Sequence, residues 1–217
     1  MATPSTESPP LWGLPEDHVK AVLEGAVTRT YPKNAVIINQ GDRSDSMYYI
    51  VTGKVKVYLA DDTGREVILG SEGPGEFFGE LALDEGPRSA SVMTLEPCTL
   101  RMISRTQVID YLMKHPDAAI LLLRTLAHRV RDLTRRVGDL ALKDVYQRLS
   151  QTLLEMAVQQ DGKLVVKERL TQEDIAKRVG SSSEMISRIF RDLRKGGYLE
   201  IDEHHQITIL KTPPAAW

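Results

Sequence analysis

Cysteine is all but absent from this chain of 217 residues: Cys98 stands alone, in a strand-like run where it reads as a small buried hydrophobe. No disulfide can close within one chain, and an iron–sulfur cluster held by its own thiolates is excluded. No apolar run approaches the ~18 residues that a membrane-spanning helix needs. Met1 to Pro15 is rich in Pro, Ser and Thr and lacks the charged start and apolar centre of a secretion signal, so it reads as a mobile arm. A cytoplasmic location with no membrane partner is expected. Charge of one sign is lacking as well: 28 Lys and Arg against 30 Asp and Glu give a net charge of −2, no global signature for nucleic acid. The five histidines, His18, His115, His128, His204 and His205, are scattered and form no metal-ligand motif. Neither a metal nor a haem is expected, and an enzyme such as a phosphodiesterase finds no support.

The rest of the chain divides by pattern. From Thr28 to Ser104, short β-rich runs alternate with turn residues: Ala35–Ile38, Tyr48–Val51, Val55–Leu59, Glu66–Leu69 after the turn signal Asp61-Asp62-Thr63-Gly64, and Cys98–Ile103. An antiparallel roll or barrel is the natural reading. Within it, the segment Phe78 to Ser91 gathers a glycine, a carboxylate, a turn and an arginine. Gly79 permits close backbone approach. Glu80 accepts hydrogen bonds only, which suits a sugar hydroxyl. Arg88 offers a planar fork of donors matched to phosphate oxygens, and the Ser89 hydroxyl and the backbone N–H groups after Gly79, at Leu81 and Ala82, add further donors. Together they describe a cradle for a sugar phosphate. The plain alternative is a Glu80–Arg88 ion pair that pins a surface loop.

After His115-Pro116 a helical pattern runs to about Leu140. Leu123, Leu126, Val130, Leu133, Val137 and Leu140 recur in steps of three and four, the a/d spacing of a coiled coil, while Arg124, His128, Arg129, Arg131, Asp132, Arg135 and Arg136 fill the other positions. A narrow apolar seam on so polar a helix predicts a homodimer; the alternative is packing on its own domain. Asp139 to Asp144 reads as a hinge.

Between Leu170 and Leu199 lie two short helical patterns joined by Gly180. Thr171 N-caps the first with Asp174 at N3, and Ser181 is expected to cap the second with Glu184 at N3. In the second helix Met185, Ile186, Ile189, Phe190 and Leu193 form an apolar face, opposed by Ser183, Glu184, Ser187, Arg188 and Arg191. Glu173, Ala176, Gly180 and Ile186 fall at helix-turn-helix spacing. Tyr198–Ile201 and Gln206–Ile209 flank Asp202–His205 as a winged-type hairpin. From Asp144 onward eleven Lys and Arg balance eleven Asp and Glu, yet Arg188, Arg191, Arg194 and Lys195 cluster at the second helix.

The Phe78–Ser91 run resembles the phosphate-binding cassette of cyclic-nucleotide-binding domains. Asn39-Gln40-Gly41-Asp42 and Met47 to Val55 resemble the strands that precede it in the cyclic AMP receptor protein family. Roll, long helix, hinge and winged helix-turn-helix follow the order of the cyclic AMP receptor and fumarate–nitrate reduction regulator superfamily over nearly the whole chain. The resemblance implies an α+β protein: an arm (1–15), a cyclic-nucleotide-binding β-roll (16–114), a dimerisation helix (115–138), a hinge (139–144) and a winged helix-turn-helix domain (145–217). It implies that Glu80 binds a ribose hydroxyl, that Arg88 and Ser89 bind the cyclic phosphate, and that Thr134 closes over the base. The loop Leu81–Pro87 is shorter than in members that bind cyclic AMP, and Leu133-Thr134 stands where those members often carry Thr-Ser. Cyclic AMP and cyclic GMP, with cyclic di-GMP as the alternative, are therefore all kept as effectors, as is a constitutive DNA binder. In the reading helix, Glu184 with Ser187-Arg188 is similar to the oxygen-responsive branch. That implies a palindrome with TTGA-like half-sites, with Arg188 on guanine, Glu184 on cytosine and Ser187 on a neighbouring base. Double-stranded DNA and RNA polymerase are the partners such a regulator implies.

Overall fold

The computed structural model describes residues 14–214 except positions 44, 161, 167, 169, 203 and 204; the expected arm therefore lies almost wholly outside the described residues. In chain order the elements are α1 (Glu16–Val22), β1 (Val27–Tyr31), β2 (Val36–Ile38), β3 (Ser46–Thr52), β4 (Val55–Ala60), β5 (Glu66–Glu72), β6 (Phe77–Phe78), β7 (Ser91–Thr94), β8 (Cys98–Ser104), α2 (Arg105–Lys114), α3 (Pro116–Leu142), α4 (Val145–Met156), β9 (Ala157–Gln160), β10 (Lys163–Val166), α5 (Gln172–Val179), α6 (Ser183–Lys195), β11 (Leu199–Ile201) and β12 (Ile207–Ile209). The chain forms two compact units, divided between Arg131 and Asp132, within α3.

The first unit holds two antiparallel four-stranded sheets, ordered β1-β8-β3-β6 and β2-β7-β4-β5. Alternation along a strand sends neighbouring side chains to opposite faces. Two cores therefore grow from the same strands. Met47, Phe77 and Ile103 join Val108 and Tyr111 of α2 and Leu122 of α3, whereas Tyr48, Ile50, Phe78, Cys98 and Leu100 pack inside the roll. Tyr48 stacks on Phe78 with ring centroids 5.0 Å apart. One close approach demands glycine. At Gly53, between β3 and β4, φ is +89°, and a Cβ would lie 2.5 Å from both Cys98 Sγ and the Pro97 carbonyl. Cys98 is buried as expected.

Helix α2 starts at a capping box: Ser104 Oγ accepts from Gln107 N, and the Gln107 side chain accepts from Ser104 N. Helix α3 runs 27 residues, through Leu142, so it passes into the stretch read as a hinge and the break falls at Lys143, before the Asp144 N-cap of α4. None of the described helices is long and apolar enough to cross a membrane.

The second unit has its own core, built from Leu149, Leu153, Ile175, Val179, Ile186, Phe190, Leu193 and the strand residues Val166, Leu199, Ile207 and Ile209. Its sheet has the order β11-β12-β10-β9. The predicted hairpin is there, pairing Leu199 with Ile209 and Ile201 with Ile207. A second hairpin, β9–β10, was not anticipated.

Candidate ligand cradle and nucleic-acid interface

The cradle begins where β6 ends. Gly79 takes a left-handed conformation (φ +79°), a 3₁₀ turn runs over Glu80–Asp84, and Glu85 is left-handed again (φ 59°). The Ala82 amide donates to the Gly79 carbonyl (3.0 Å) and its side chain is buried, so Ala82 shapes the turn and its N–H is already engaged there. Leu81 and Ser89 are exposed.

The two charged residues are held by different partners, and no Glu80–Arg88 ion pair is formed among the described residues. Arg88 is buried. Its Nη1 donates to the Gly79 carbonyl (3.1 Å) and its Nη2 to the Ser46 carbonyl (2.7 Å) and hydroxyl (3.3 Å). A Cβ at Gly79 would fall 2.8 Å from Arg88 Nη1, so glycine is required for this contact as well as for the turn. Burial pushes the Arg88 guanidinium below its ordinary value, against the opposing pull of Tyr48, Asp45, Glu80 and Asp42.

Glu80 pairs instead with Arg129 of α3 (Oε1 to Nη1, 2.8 Å). Arg129 also donates to the Phe77 carbonyl (2.9 Å) and lies 3.7 Å from Glu72. Burial alone would lower its pKa, but Glu80, Glu72 and Glu76 outweigh burial and hold it above the ordinary value. Glu72 goes the other way. Desolvation pushes it up to about 7; Arg129 opposes this, while Glu76 and Glu80 add to it. Glu72 was not singled out from sequence, and Arg129 stood there only among the arginines of the long helix, open either to a cyclic-dinucleotide site or to a solvated helix face. The signal for Arg129 was present: it follows Leu122 and Leu126 at steps of four and three, on the face that meets the first unit's core.

The same face bears on the seam. Leu126 is half-buried against its own core, whereas Leu123 (60% exposed), Val130 (61%), Leu133 (47%), Val137 (65%) and Leu140 (52%) remain open. Thr134 is exposed on the same helix.

In the second unit, α5 carries the expected Thr171–Asp174 capping box and ends at Gly180 in the left-handed conformation (φ 69°). The cap of α6 is Ser182, not Ser181: its side chain accepts from Met185 N, and N3 is therefore Met185 rather than Glu184. The left-handed Gly180 and the Ser181 amide bonded to the Ala176 carbonyl (3.0 Å) belong to the end of α5, which moves the next helix on by one residue. On α6, Ile186, Phe190 and Leu193 are buried. Met185 is exposed and, with half-buried Ile189, lines a cavity of about 310 Å³ shared with Asp144, Val145, Tyr146 and Asp192, so the apolar face is narrower than predicted. Ser183, Glu184, Arg188 and Arg191 are exposed together and Ser187 is half-buried beside them. Arg148 of α4 fixes the turn's frame: it donates to the carbonyls of Val179 (3.0 Å), Gly180 (3.3 Å) and Lys143 (2.7 Å), which satisfies acceptors at the ends of α5 and α3.

Comparison with known proteins bears on both sites. Residues 28–115 match the family described as cyclic nucleotide-binding domain, and residues 147–213 match the Crp-like helix-turn-helix domain. The chain is 33% identical to the cAMP-activated global transcriptional regulator Vfr of Pseudomonas aeruginosa, over 85% of this chain and 90% of that protein. It is also 33% identical to the cAMP-activated global transcriptional regulator CRP of Salmonella typhimurium, over 89% and 90%. The c-di-GMP responsive global regulator CLP of Xanthomonas campestris has a similar structure, with a TM-score of 0.79 and 25% identity over 92% of this chain and 100% of that one.

Glu72 makes a pH-dependent contribution with a definite sign. Its carboxyl titrates near 7 in the fold against an ordinary 4.5, so the native state holds more protons between those values. Stability should be greatest below about pH 4.5, decline as pH rises to about 7, and change no further from this source above it. A Glu72→Gln variant should match the parent near pH 4.5 and exceed it at pH 8 by on the order of 1–3 kcal/mol in urea unfolding.

Proposed function

This chain belongs to the CRP/FNR family of cyclic nucleotide-responsive transcription regulators, and we propose that it acts as a cytoplasmic homodimer that binds a purine cyclic mononucleotide in the first unit and a palindromic promoter site through the second. The observation that carries the ligand reading is the cradle's donor and acceptor set. In this reading exposed Ser89, the Arg88 guanidinium donors not spent on Gly79 and Ser46, and the Leu81 amide would bind a phosphate, while Glu80 would accept from a ribose hydroxyl. Arg129 pairs with the Glu80 carboxylate at 2.8 Å and so fixes where that acceptor stands. Cyclic di-GMP is the second reading, favoured by the likeness to the Xanthomonas campestris regulator.

Dimerisation is supported by the open stripe on α3. Leu123, Val130 and Val137 are seven residues apart, as are Leu140, Leu133 and half-buried Leu126, and together they offer a coiled-coil seam to a second copy. Two α6 helices would then present Ser183, Glu184, Ser187, Arg188 and Arg191 to successive major grooves of TTGA-like half-sites, spaced ~34–36 Å apart. RNA polymerase is the further partner this role requires. The mode of action is regulatory rather than catalytic.

Calorimetric titration with cyclic AMP, cyclic GMP and cyclic di-GMP tests the ligand reading. One mononucleotide should bind saturably, and Ser89→Ala, an exposed change, should weaken it by about 1.5–3 kcal/mol, the worth of a hydrogen bond to a charged group. Binding of none of the three would leave a constitutive regulator. In gel shifts on the palindrome, Arg188→Ala should cost about 1–3 kcal/mol and relax specificity at one base pair; an equal loss on every sequence would reduce Arg188 to a phosphate contact.

A further inference from the structure

Histidines far apart in sequence meet at the foot of α3. His18 lies in α1, His115 is the C-cap of α2 and Asp117 opens α3. One ligand atom from each lies within 4.8 Å of the others. We propose that His18, His115 and Asp117 form a site for a first-row divalent transition ion, Zn²⁺ foremost, independent of the nucleotide cradle and of the DNA-reading helix. The sequence reading expected no metal because the histidines are scattered along the chain; folding brings two of them together.

The distances favour a shared ion over a direct bond. His18 Nε2 and Asp117 Oδ2 are 3.6 Å apart, too long for a good hydrogen bond. A tetrahedral ion with legs of about 2.0–2.1 Å spans its ligands at roughly 3.3–3.4 Å, close to the His18–Asp117 separation and shorter than the 4.8 Å that bounds all three, so rotamer adjustment is needed to close the site. The rings are already arranged for it. His18 and His115 meet edge-on with centroids 5.4 Å apart, and Tyr111 stacks on His115 at 4.5 Å. The Tyr111 hydroxyl is 2.6 Å from His18 Nδ1, which leaves Nε2 facing Asp117. A metal-bound imidazole needs such an outer partner on its second nitrogen.

The ligand types select the ion. Two imidazoles disfavour Mg²⁺ and Ca²⁺, which take oxygen ligands, and suit Zn²⁺, Co²⁺, Ni²⁺ or Fe²⁺. Asp117 is exposed and His18 half-buried, so the ion has an entry path and a fourth position for water. A bound ion would cross-link α1 to the junction of α2 and α3 within the first unit.

The test uses the full chain, treated with chelator and then titrated with Co²⁺. The expected result is one equivalent per chain with the intense visible absorption of four-coordinate Co²⁺, displaced by Zn²⁺ and untouched by Mg²⁺. His115→Ala should abolish it. Asp117→Asn, at an exposed position that leaves folding intact, should weaken it at least tenfold, and Tyr111→Phe by about 10–100-fold through the lost outer contact. Circular dichroism of each variant separates loss of the site from loss of the fold. No Co²⁺ bound at equimolar concentration, or binding that survives in both His115→Ala and Asp117→Asn, overturns the proposal.

Discussion

The Arg129 guanidinium is the contact on which the ligand-binding unit depends. It meets Glu80 at 2.8 Å, donates to the Phe77 carbonyl two residues before Gly79, and stands among three glutamates, at positions 72, 76 and 80, that would otherwise repel one another. The site is half-buried, so the pair is screened less than a surface bridge and loses more if one partner is removed. Glu72 shows how close the balance is. Even with Arg129 nearby, desolvation keeps that carboxyl partly protonated at neutral pH, so any ligand that changes the field here changes its charge as well.

The same contact gives a physical route from ligand to helix. In the proposed complex a ribose hydroxyl approaches Glu80, the acceptor that Arg129 already holds. Whatever the nucleotide does to that carboxylate is felt by a side chain of α3, and α3 continues unbroken to Leu142 with an open apolar stripe along it. Arg148 then gathers the carbonyls at the end of α3 and of α5. An effector acts only through a difference in affinity between two states. Helix α3 is where such a difference can be registered, since it carries both Arg129, which meets Glu80, and the exposed apolar stripe.

Much of this was legible in the residues themselves. Strand runs, the long helix, the Thr171 capping box and the Gly180 turn were read from local chemistry, which the fold preserves because each choice is set within a few residues. Ser181 was misjudged as a cap because the left-handed exit of α5 consumes one residue more than the sequence spacing suggests. Leu126 sits in a heptad by number but on the core-facing side by geometry, and only packing distinguishes the two. The β9–β10 hairpin carried an Asp161-Gly162 turn signal that the preceding helical pattern obscured. Long-range pairings were not legible at all. Arg129 with Glu80, Arg88 with Ser46, and His18 with Asp117 join positions whose proximity is set by the fold rather than by any local spacing.

The measurement closest to the centre of this account is nucleotide affinity by calorimetry, with and without the DNA palindrome, in the parent chain and in Arg129→Gln. Linkage requires DNA and nucleotide to alter each other's affinity by one common factor, on the order of 5–150-fold in coupled systems. The account predicts such a factor in the parent and its collapse toward one in a folded Arg129→Gln variant. Equal coupling in both proteins would contradict it, and would place the transmission of the signal somewhere other than the Arg129–Glu80 contact.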